Sequence, residues 1–110
     1  MLDNKKLDYA AKLKLAAYMG EIYQKSRKRM DVYDYVSSEN RNSLLVNGDR
    51  NWVYIVDRCL KDCSASTRFI IQNEFLEKKN PDWYEKYFSR SVYYRMKKEA
   101  VEEFMQSLDF

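Results

Sequence analysis

The apolar side chains near the C-terminal end of the chain recur at helical spacing. Between residues 88 and 110 they are separated by three or four positions, which stacks them on one side of a helix: Tyr93, Met96, Ala100, Phe104 and Leu108. Ser89 precedes this run, and serine is a favoured helix N-cap. The pattern predicts a helix over 89–107 with this side buried.

The opposite side of the same helix collects hydrogen-bonding, aromatic and basic groups. They lie at the spacing i, i+3, i+4, i+7, in the order Ser91, Tyr94, Arg95 and Lys98. Bases also precede acids along the helix, whereas the helix dipole favours the reverse order. Helix stability therefore does not explain the order, and such a stripe suits the major groove of DNA. The alternative is a solvated helix whose charges only keep it soluble.

Two shorter segments before this helix have helix-start signals of their own. Ser64 or Ser66 can cap a helix that runs to about Lys79. The run 80–82, Asn-Pro-Asp, places a cap, a proline and an acid where a second helix begins, and this helix must end before Ser89. Three helices with a short middle one and a basic, exposed last one predict a helix-turn-helix.

The N-terminal part of the chain predicts a long first helix. Asp3 or Asn4 can cap it, and an apolar stripe leads to about Arg29 through Leu7, Ala11, Leu15, Tyr18 and Ile22. Residues 25–29 contain four bases, which would complement the negative end of the helix dipole. A patch that contacts phosphates is the alternative for these bases.

The segment from Asp31 to Cys63 gives mixed signals. A short helix after Asp31 and a loop over 37–40 are predicted first. Asn47-Gly48 between apolar runs is typical of a β-hairpin, but the next apolar side chains have helical spacing: Trp52, Ile55, Val56, Cys59, Leu60 and Cys63. We therefore predict a helix from about Asn51 to Cys63, with Asn47-Gly48 ending a short helix before it.

Composition agrees with an all-α chain of five or six helices. The 110 residues include only 2 glycines and 1 proline, and they suffice for one domain or slightly more. We predict an N-terminal helical region over 1–63, for packing, dimerisation or partner contact, and a DNA-binding region over 64–110. The first region has 12 bases and 9 acids and the second has 8 of each. Any attraction of the second region to DNA must therefore be local.

Several kinds of chemistry have no residues to support them. The chain has no histidine, no Gly-rich phosphate loop and no Ser–His or Cys–His pair, so an enzyme, a metal site and a cofactor are not expected. Cys59 and Cys63 share a helix face, and we expect a structural role for both. Reduced thiols, no signal peptide and no long apolar run predict a cytoplasmic protein that does not bind a membrane.

The run from Ser89 to Val101, S-R-S-V-Y-Y-R-M-K-K-E-A-V, resembles the last helix of sigma factor region 4, S-R-x-x-V-x-x-I-x-x-x-A-L. It resembles still more the S-R-x-T-x-Y-R-x-[KR]-K-x-A pattern of ArpU- and RinA-type regulators, from phages and mobile elements of low-GC Gram-positive bacteria. The resemblance covers the chain from about residue 66 onward. It departs at 87–88, Tyr-Phe, where the family has a glycine, and at Tyr94, where sigma factors often have a base.

The resemblance implies a fold and a set of contacts. It implies a sigma-region-4-like helix-turn-helix whose base-contacting residues are Arg90, Ser91, Tyr94 and Arg95. We expect Lys86, Lys97 and Lys98 to contact phosphates.

Two hypotheses on function remain. The first is a sequence-specific transcription regulator that binds double-stranded DNA, with N-terminal helices that dimerise or meet RNA polymerase. The second is a helical interaction module, without enzymatic activity, that binds RNA polymerase or another protein through aromatic anchors. Val101, Met105 and Leu108 widen the apolar face of the last helix. We expect this face to dock on the N-terminal helix of the same chain or to form a homodimer.

Overall fold

The structure, a computed structural model, describes residues 7–36 and 44–109 and is all-α in this part of the chain. Four α-helices follow one another: α1 (Tyr9–Val36), α2 (Leu44–Lys61), α3 (Ala65–Ile71) and α4 (Arg90–Ser107). α3 continues directly into a π-helical turn (Gln72–Leu76), and a 3₁₀ turn (Trp83–Lys86) precedes α4. Across the described residues, no helix is both long and apolar enough to span a bilayer.

The predicted number of five or six helices is not confirmed. The short helix expected after Asp31 is part of α1, and the one expected before Asn47 is part of α2. The short helix expected after Pro81 is the four-residue 3₁₀ turn. The prediction that α3 reaches about Lys79 is also wrong, because the helix ends at Leu76 and Glu77 is extended.

α1 is longer at its C-terminal end than the sequence predicts. Its first turn is capped by Asp8, whose Oδ1 accepts a hydrogen bond from the Ala11 N–H at 2.8 Å; the predicted caps, residues 3 and 4, lie outside the described residues, as does the predicted loop at 37–40. The predicted end near Arg29 is wrong. The bases at 25–29 lie inside the helix, so they do not complement its C-terminal dipole.

A contact with α2 explains why α1 continues. The Asp49 carboxylate on α2, only 4% exposed, accepts hydrogen bonds from Ser26 and from two nitrogens of Arg29. The guanidinium of Arg29 holds the pKa of Asp49 below its usual range, despite the opposing effect of burial. These contacts hold the two helices side by side as far as the predicted helix end, and an ion pair between Arg50 and Asp34 at 3.1 Å holds them beyond it.

The same contact explains why α2 runs through Asn47-Gly48. Gly48 does not have a positive φ, and no turn interrupts the helix there. The rejection of a β-hairpin is confirmed, whereas the predicted helix end at this dipeptide is wrong. Asp49, the next residue, is held against α1, and the helical conformation of this segment brings it there.

The buried faces of α1 and α2 differ in detail from the predicted stripes. In α1, Tyr18 is 61% exposed, while Ala16 and Met19 are buried. In α2, Ile55 is 43% exposed and Val53 is buried. Each helix packs against more than one neighbouring element. A sequence pattern that assumes one buried face therefore assigns the residues at the edges of that face wrongly.

One hydrophobic core joins the two predicted regions of the chain. α1 contributes Ala16 and Met19 to this core, and α2 contributes Val56 and Leu60. The other elements, apart from the 3₁₀ turn, also contribute buried side chains, among them Ile70, Ile71, Phe75, Leu76, Ala100, Val101, Phe104 and Met105. The widened apolar face of α4 packs within the chain, since Val101 and Met105 are fully buried. An ion pair between Lys12 and Glu102 joins α1 to α4 at the edge of this core.

α1 passes very close to the π turn, and a glycine makes this possible. A Cβ atom built on Gly20 would lie 2.4 Å from the Phe75 carbonyl oxygen, well inside van der Waals contact. The same carbonyl accepts a hydrogen bond from Gln24 Nε2 at 2.8 Å. The glycine and the glutamine together fix where α1 crosses the end of α3.

Candidate nucleic-acid interface

α4 begins where the sequence predicts. Ser89 has an extended backbone, with φ −69° and ψ 163°, and its Oγ accepts a hydrogen bond from the Val92 N–H at 3.4 Å. Tyr93, Ala100 and Phe104 are buried, with exposed fractions of 1 to 3%. The predicted helix, its cap and its buried side are therefore confirmed.

The opposite side of α4 is exposed along the predicted stripe. All four predicted base-contacting residues are exposed, namely Arg90, Ser91, Tyr94 and Arg95. The Arg90 guanidinium lies 5.9 Å from the centre of the Tyr94 ring, a cation–π distance. Arg95 has no hydrogen-bond or ion-pair partner among the described residues. Its five N–H donors are therefore available to a ligand.

The predicted phosphate contacts divide into two kinds. Lys86 and Lys98 are exposed, and the Lys98 ammonium lies over the Tyr9 ring at 5.8 Å. Lys97 is different, because its side chain is only 14% exposed and its Nζ lies 3.1 Å from the Glu74 carboxylate. A contact between Lys97 and a phosphate would require this ion pair to open.

Glu74 in the π turn is the centre of a polar cluster beneath α4. One carboxylate oxygen accepts hydrogen bonds from Trp83 Nε1 at 2.7 Å and from the Tyr93 hydroxyl at 2.5 Å. The other oxygen accepts from Lys97 Nζ at 3.1 Å. Because Trp83 belongs to the 3₁₀ turn and the other two donors to α4, the carboxylate ties three elements together.

Stacked aromatic rings hold the segment between α3 and α4. Tyr84 lies flat on Tyr93, with ring centres 3.7 Å apart and planes 4° apart. Phe69 of α3 meets three rings edge-on at centre distances of 5.0 to 6.2 Å, those of Trp83, Tyr87 and Phe88. Tyr87 and Phe88, at the place where the sigma family has a glycine, thus contribute to packing.

The predicted cap of the middle helix does not form. The Asn80 carbonyl accepts a hydrogen bond from the Trp83 N–H at 3.0 Å, and Asp82 precedes the 3₁₀ turn without a side-chain cap bond. The segment between the π turn and α4 covers residues 77–89, and the aromatic contacts of Trp83 and Tyr84 define its shape. A single turn takes the place of the expected helix.

Several acids of the C-terminal region are engaged inside the molecule. Glu103 accepts hydrogen bonds from the Thr67 hydroxyl at 2.5 Å and from Ser64, and the Thr67 bond is the main reason why the pKa of Glu103 is low. Glu102 pairs with Lys12, and Glu74 lies in its own cluster. Glu99 remains exposed. The N-terminal half of α4 is therefore basic at its surface, although its region is neutral in sum.

The pKa values of the cluster predict acid sensitivity. Burial raises the pKa of Glu74, but hydrogen bonds from Tyr93 and Trp83 and the Lys97 charge outweigh it, so the net pKa is below its usual 4.5. Burial, reinforced by Glu74, raises the pKa of Tyr93. A carboxyl group with a lowered pKa stabilises the fold above its unfolded pKa and loses this effect as the pH falls through the folded value.

We therefore expect the free energy of unfolding to fall as the pH is lowered from about 5 to 3. Urea denaturation at a series of pH values measures this decrease. Glu74→Gln, which cannot titrate, should show a shallower pH dependence than the parent chain. Equal slopes for the two chains would contradict the contribution of Glu74.

The sequence did not identify Glu74 or Trp83 as part of this site. Glu74 is one of many acids, and its position depends on the π turn, which has no sequence signal of its own. The spacing of Tyr93 and Lys97, i and i+4 on α4, indicates only that the two side chains are neighbours. Cys59 and Cys63 pack as expected, with the Cys63 thiol donating to the Cys59 carbonyl at 3.4 Å and burial raising its pKa.

Comparisons with known proteins found no relative of the chain. No protein-family model, curated protein or solved structure matches it. The function proposed below therefore depends on the chain's own residues and on the local resemblance of Ser89 to Val101.

Proposed function

We propose that the chain is a sequence-specific DNA-binding transcription regulator that reads the major groove with α4. The observation that carries the proposal is the set of exposed side chains Arg90, Ser91, Tyr94 and Arg95 on a helix whose opposite side packs in the core. The resemblance to sigma factor region 4 supports the same assignment. α3, the 3₁₀ turn and α4 would together act as the helix-turn-helix.

Each exposed side chain matches a known mode of recognition. An α-helix fits the width of the major groove, and arginine can donate two hydrogen bonds to a guanine edge. Arg95 is exposed beside Tyr94 and has no competing partner among the described residues, so we assign it the base contact with the largest energy. The Tyr94 ring can contact a thymine methyl group.

The surrounding bases would position α4 on the DNA backbone. Lys86 lies at the end of the 3₁₀ turn and Lys98 lies further along α4, and both are exposed. Contacts of lysine with phosphates add affinity for any sequence. The Glu74 cluster supports this role, because it holds the helix in a defined orientation while the stripe remains outside.

The two roles predict different effects of two alanine substitutions. Arg95→Ala should cost about 1 to 3 kcal/mol of binding energy on the preferred site and relax the preference at one base pair. Lys98→Ala should weaken binding to all sequences alike and lower the slope of log affinity against log salt by about one unit. Selection from a random duplex library, followed by titrations at several salt concentrations, measures both.

Both variants should keep the helicity and melting temperature of the parent, because neither side chain is in the core. Glu99→Ala, an exposed acid on the same helix, serves as the matched control and should not weaken DNA binding. Unchanged DNA binding by both Arg95→Ala and Lys98→Ala would refute the groove assignment.

A protein-interaction module is the second candidate, favoured by two exposed aromatic side chains. Tyr94 is 51% exposed and Tyr87 is 59% exposed, and tyrosine is a frequent anchor in protein interfaces. In this case Tyr94→Ala should abolish pull-down of RNA polymerase, while Arg95→Ala leaves DNA binding as it was. The salt dependence of binding would also be shallower than for DNA.

A further inference from the structure

A second surface lies apart from the stripe on α4. α1, α2 and the α3 region form a cleft of about 850 Å³, which none of the α4 side chains lines. Its volume is in the range of ordinary ligand-binding pockets. Residues of α1 from Tyr23 onward line one side of the cleft. Residues of α2 from Tyr54 onward line another side, and Tyr54 is 60% exposed.

The charges that line this cleft are predominantly positive. Five bases face it from three elements: Arg27, Lys28, Arg58, Lys61 and Arg68. Three acids oppose them, Asp31, Asp57 and Glu77. Of these acids, Asp57 accepts a hydrogen bond from the Tyr23 hydroxyl at 2.8 Å and Glu77 pairs with Lys79 at 3.4 Å.

Two of the bases are available to a ligand. The ammonium groups of Lys28 and Lys61 are exposed and have no hydrogen-bond or ion-pair partner in the part of the chain that the structure describes, although the Lys61 backbone carbonyl accepts a bond from Arg68. Arg68 is partly occupied, since it donates to the Cys63 carbonyl at 2.6 Å. The cleft thus has an excess of positive charge at its mouth, with five bases against three acids.

The inner wall of the cleft is apolar. Leu60 and Leu76, which are only 8% and 7% exposed, lie at its floor, and the rings of Tyr23 and Tyr54 flank them. The duplex backbone is convex and its phosphates are strongly hydrated, so it would meet the bases at the rim and leave the Tyr54 ring, which is 60% exposed, without an apolar partner. A peptide that alternates carboxylates with apolar side chains satisfies both parts of the cleft.

We propose that this cleft binds an acidic peptide segment of a partner protein, with an aliphatic or aromatic side chain against the Tyr54 ring and carboxylates at Lys28 and Lys61. This function goes beyond DNA binding and does not depend on it, since the cleft and the stripe on α4 share no residue.

The probe is a short fluorescein-labelled peptide in which glutamates alternate with phenylalanine and leucine. Fluorescence anisotropy gives its affinity, and amide chemical shifts of the ¹⁵N-labelled chain locate it. We expect Lys28→Glu to weaken binding about five- to tenfold, because it replaces an attraction by a repulsion. Lys14→Glu is the matched control: it is exposed on the same helix, it does not line the cleft, and it should leave the affinity nearly unchanged.

Two further peptides separate charge from apolar contact. A version with glutamine in place of glutamate and a version with serine in place of the apolar residues should both bind at least about tenfold more weakly. Tyr54→Ala should weaken the parent peptide, and Arg95→Ala should not.

Three results would overturn the proposal. The first is no shift of the cleft amides at peptide concentrations up to about 1 mM. The second is equal affinity of Lys28→Glu and Lys14→Glu. The third is displacement of the peptide by a short DNA duplex whose own binding is weakened by Lys28→Glu, which would make the cleft a nucleic-acid surface. If α4 did not bind DNA, none of these three results would follow from that failure. The peptide experiment therefore tests the cleft separately from the DNA-binding proposal.

Discussion

Replacing Glu74 by alanine should lower the free energy of unfolding by about 3 to 5 kcal/mol. The substitution leaves the Lys97 ammonium, which is only 14% exposed, without its counter-ion. It also leaves the Trp83 N–H and the Tyr93 O–H without the acceptor that they share. An unsatisfied buried donor costs about 1 to 3 kcal/mol, so several losses coincide at one residue.

Urea denaturation followed by circular dichroism measures this effect. Glu99→Ala is the matched control, because it removes an exposed acid from α4 and should change the stability by no more than about 0.5 kcal/mol. Glu74→Gln keeps one acceptor oxygen without the charge, so its stability should lie between those of the parent and Glu74→Ala. Equal stability of Glu74→Ala and Glu99→Ala would mean that the cluster does not hold α4.

Local signals explain why α4 could be predicted so closely. Ser89 forms the cap that its position before the apolar run indicates, and the helix ends at Ser107 as expected. The buried side and the exposed stripe follow from a spacing of three and four residues, which depends only on helix geometry. The four proposed base-contacting residues are exposed for the same reason.

Features that depend on contacts between distant residues could not be predicted. The length of α1 and the continuity of α2 through Gly48 depend on contacts that exist only in the folded chain, those of Asp49 with Ser26 and Arg29 and that of Arg50 with Asp34. The single 3₁₀ turn depends in the same way on the packing of Trp83 and Tyr84. Propensity and capping signals are weak compared with such tertiary contacts.

The π turn is the clearest example of this limit. It inserts an extra residue in the helical turn, so that Phe75 points into the core while Glu74 reaches the donors of α4. If this segment were a regular α-helix, the residues after the insertion would lie about 100° around the helix axis from their observed positions, which is one position of the helical wheel. The site beneath α4 therefore depends on a backbone irregularity that periodicity cannot show.

The two glycines of the chain lie inside helices, yet alanine should act on them in opposite directions. Gly20→Ala should lower the stability by about 1 to 3 kcal/mol, because the new methyl group meets the backbone of the π turn. The Cβ would lie 2.4 Å from the Phe75 oxygen and 2.9 Å from its carbonyl carbon, and neither atom can move without shifting the helix end. The loss remains although alanine is the better helix former.

Gly48→Ala is the control that the chain itself provides. Outside its own helical turn, no atom of the described residues lies within 4 Å of a Cβ at Gly48, and the residue is helical without a positive φ. The substitution should therefore raise the stability by about 0.5 to 1 kcal/mol through backbone entropy alone. The double variant should fall between the two single variants, since the two sites share no neighbour.

Urea midpoints of the parent and the three variants, compared at equal m-values, measure this contrast. We expect the two single variants to differ by about 1.5 to 4 kcal/mol, with the parent between them. The hydrogen bond from Gln24 to the Phe75 carbonyl gives a second readout: separation of α1 from the π turn should make the Gln24 side-chain amide protons exchange faster in Gly20→Ala and not in Gly48→Ala. If Gly20→Ala instead gained as much stability as Gly48→Ala, α1 would not cross the π turn in direct contact, and the position of Glu74 beneath α4 would need another support.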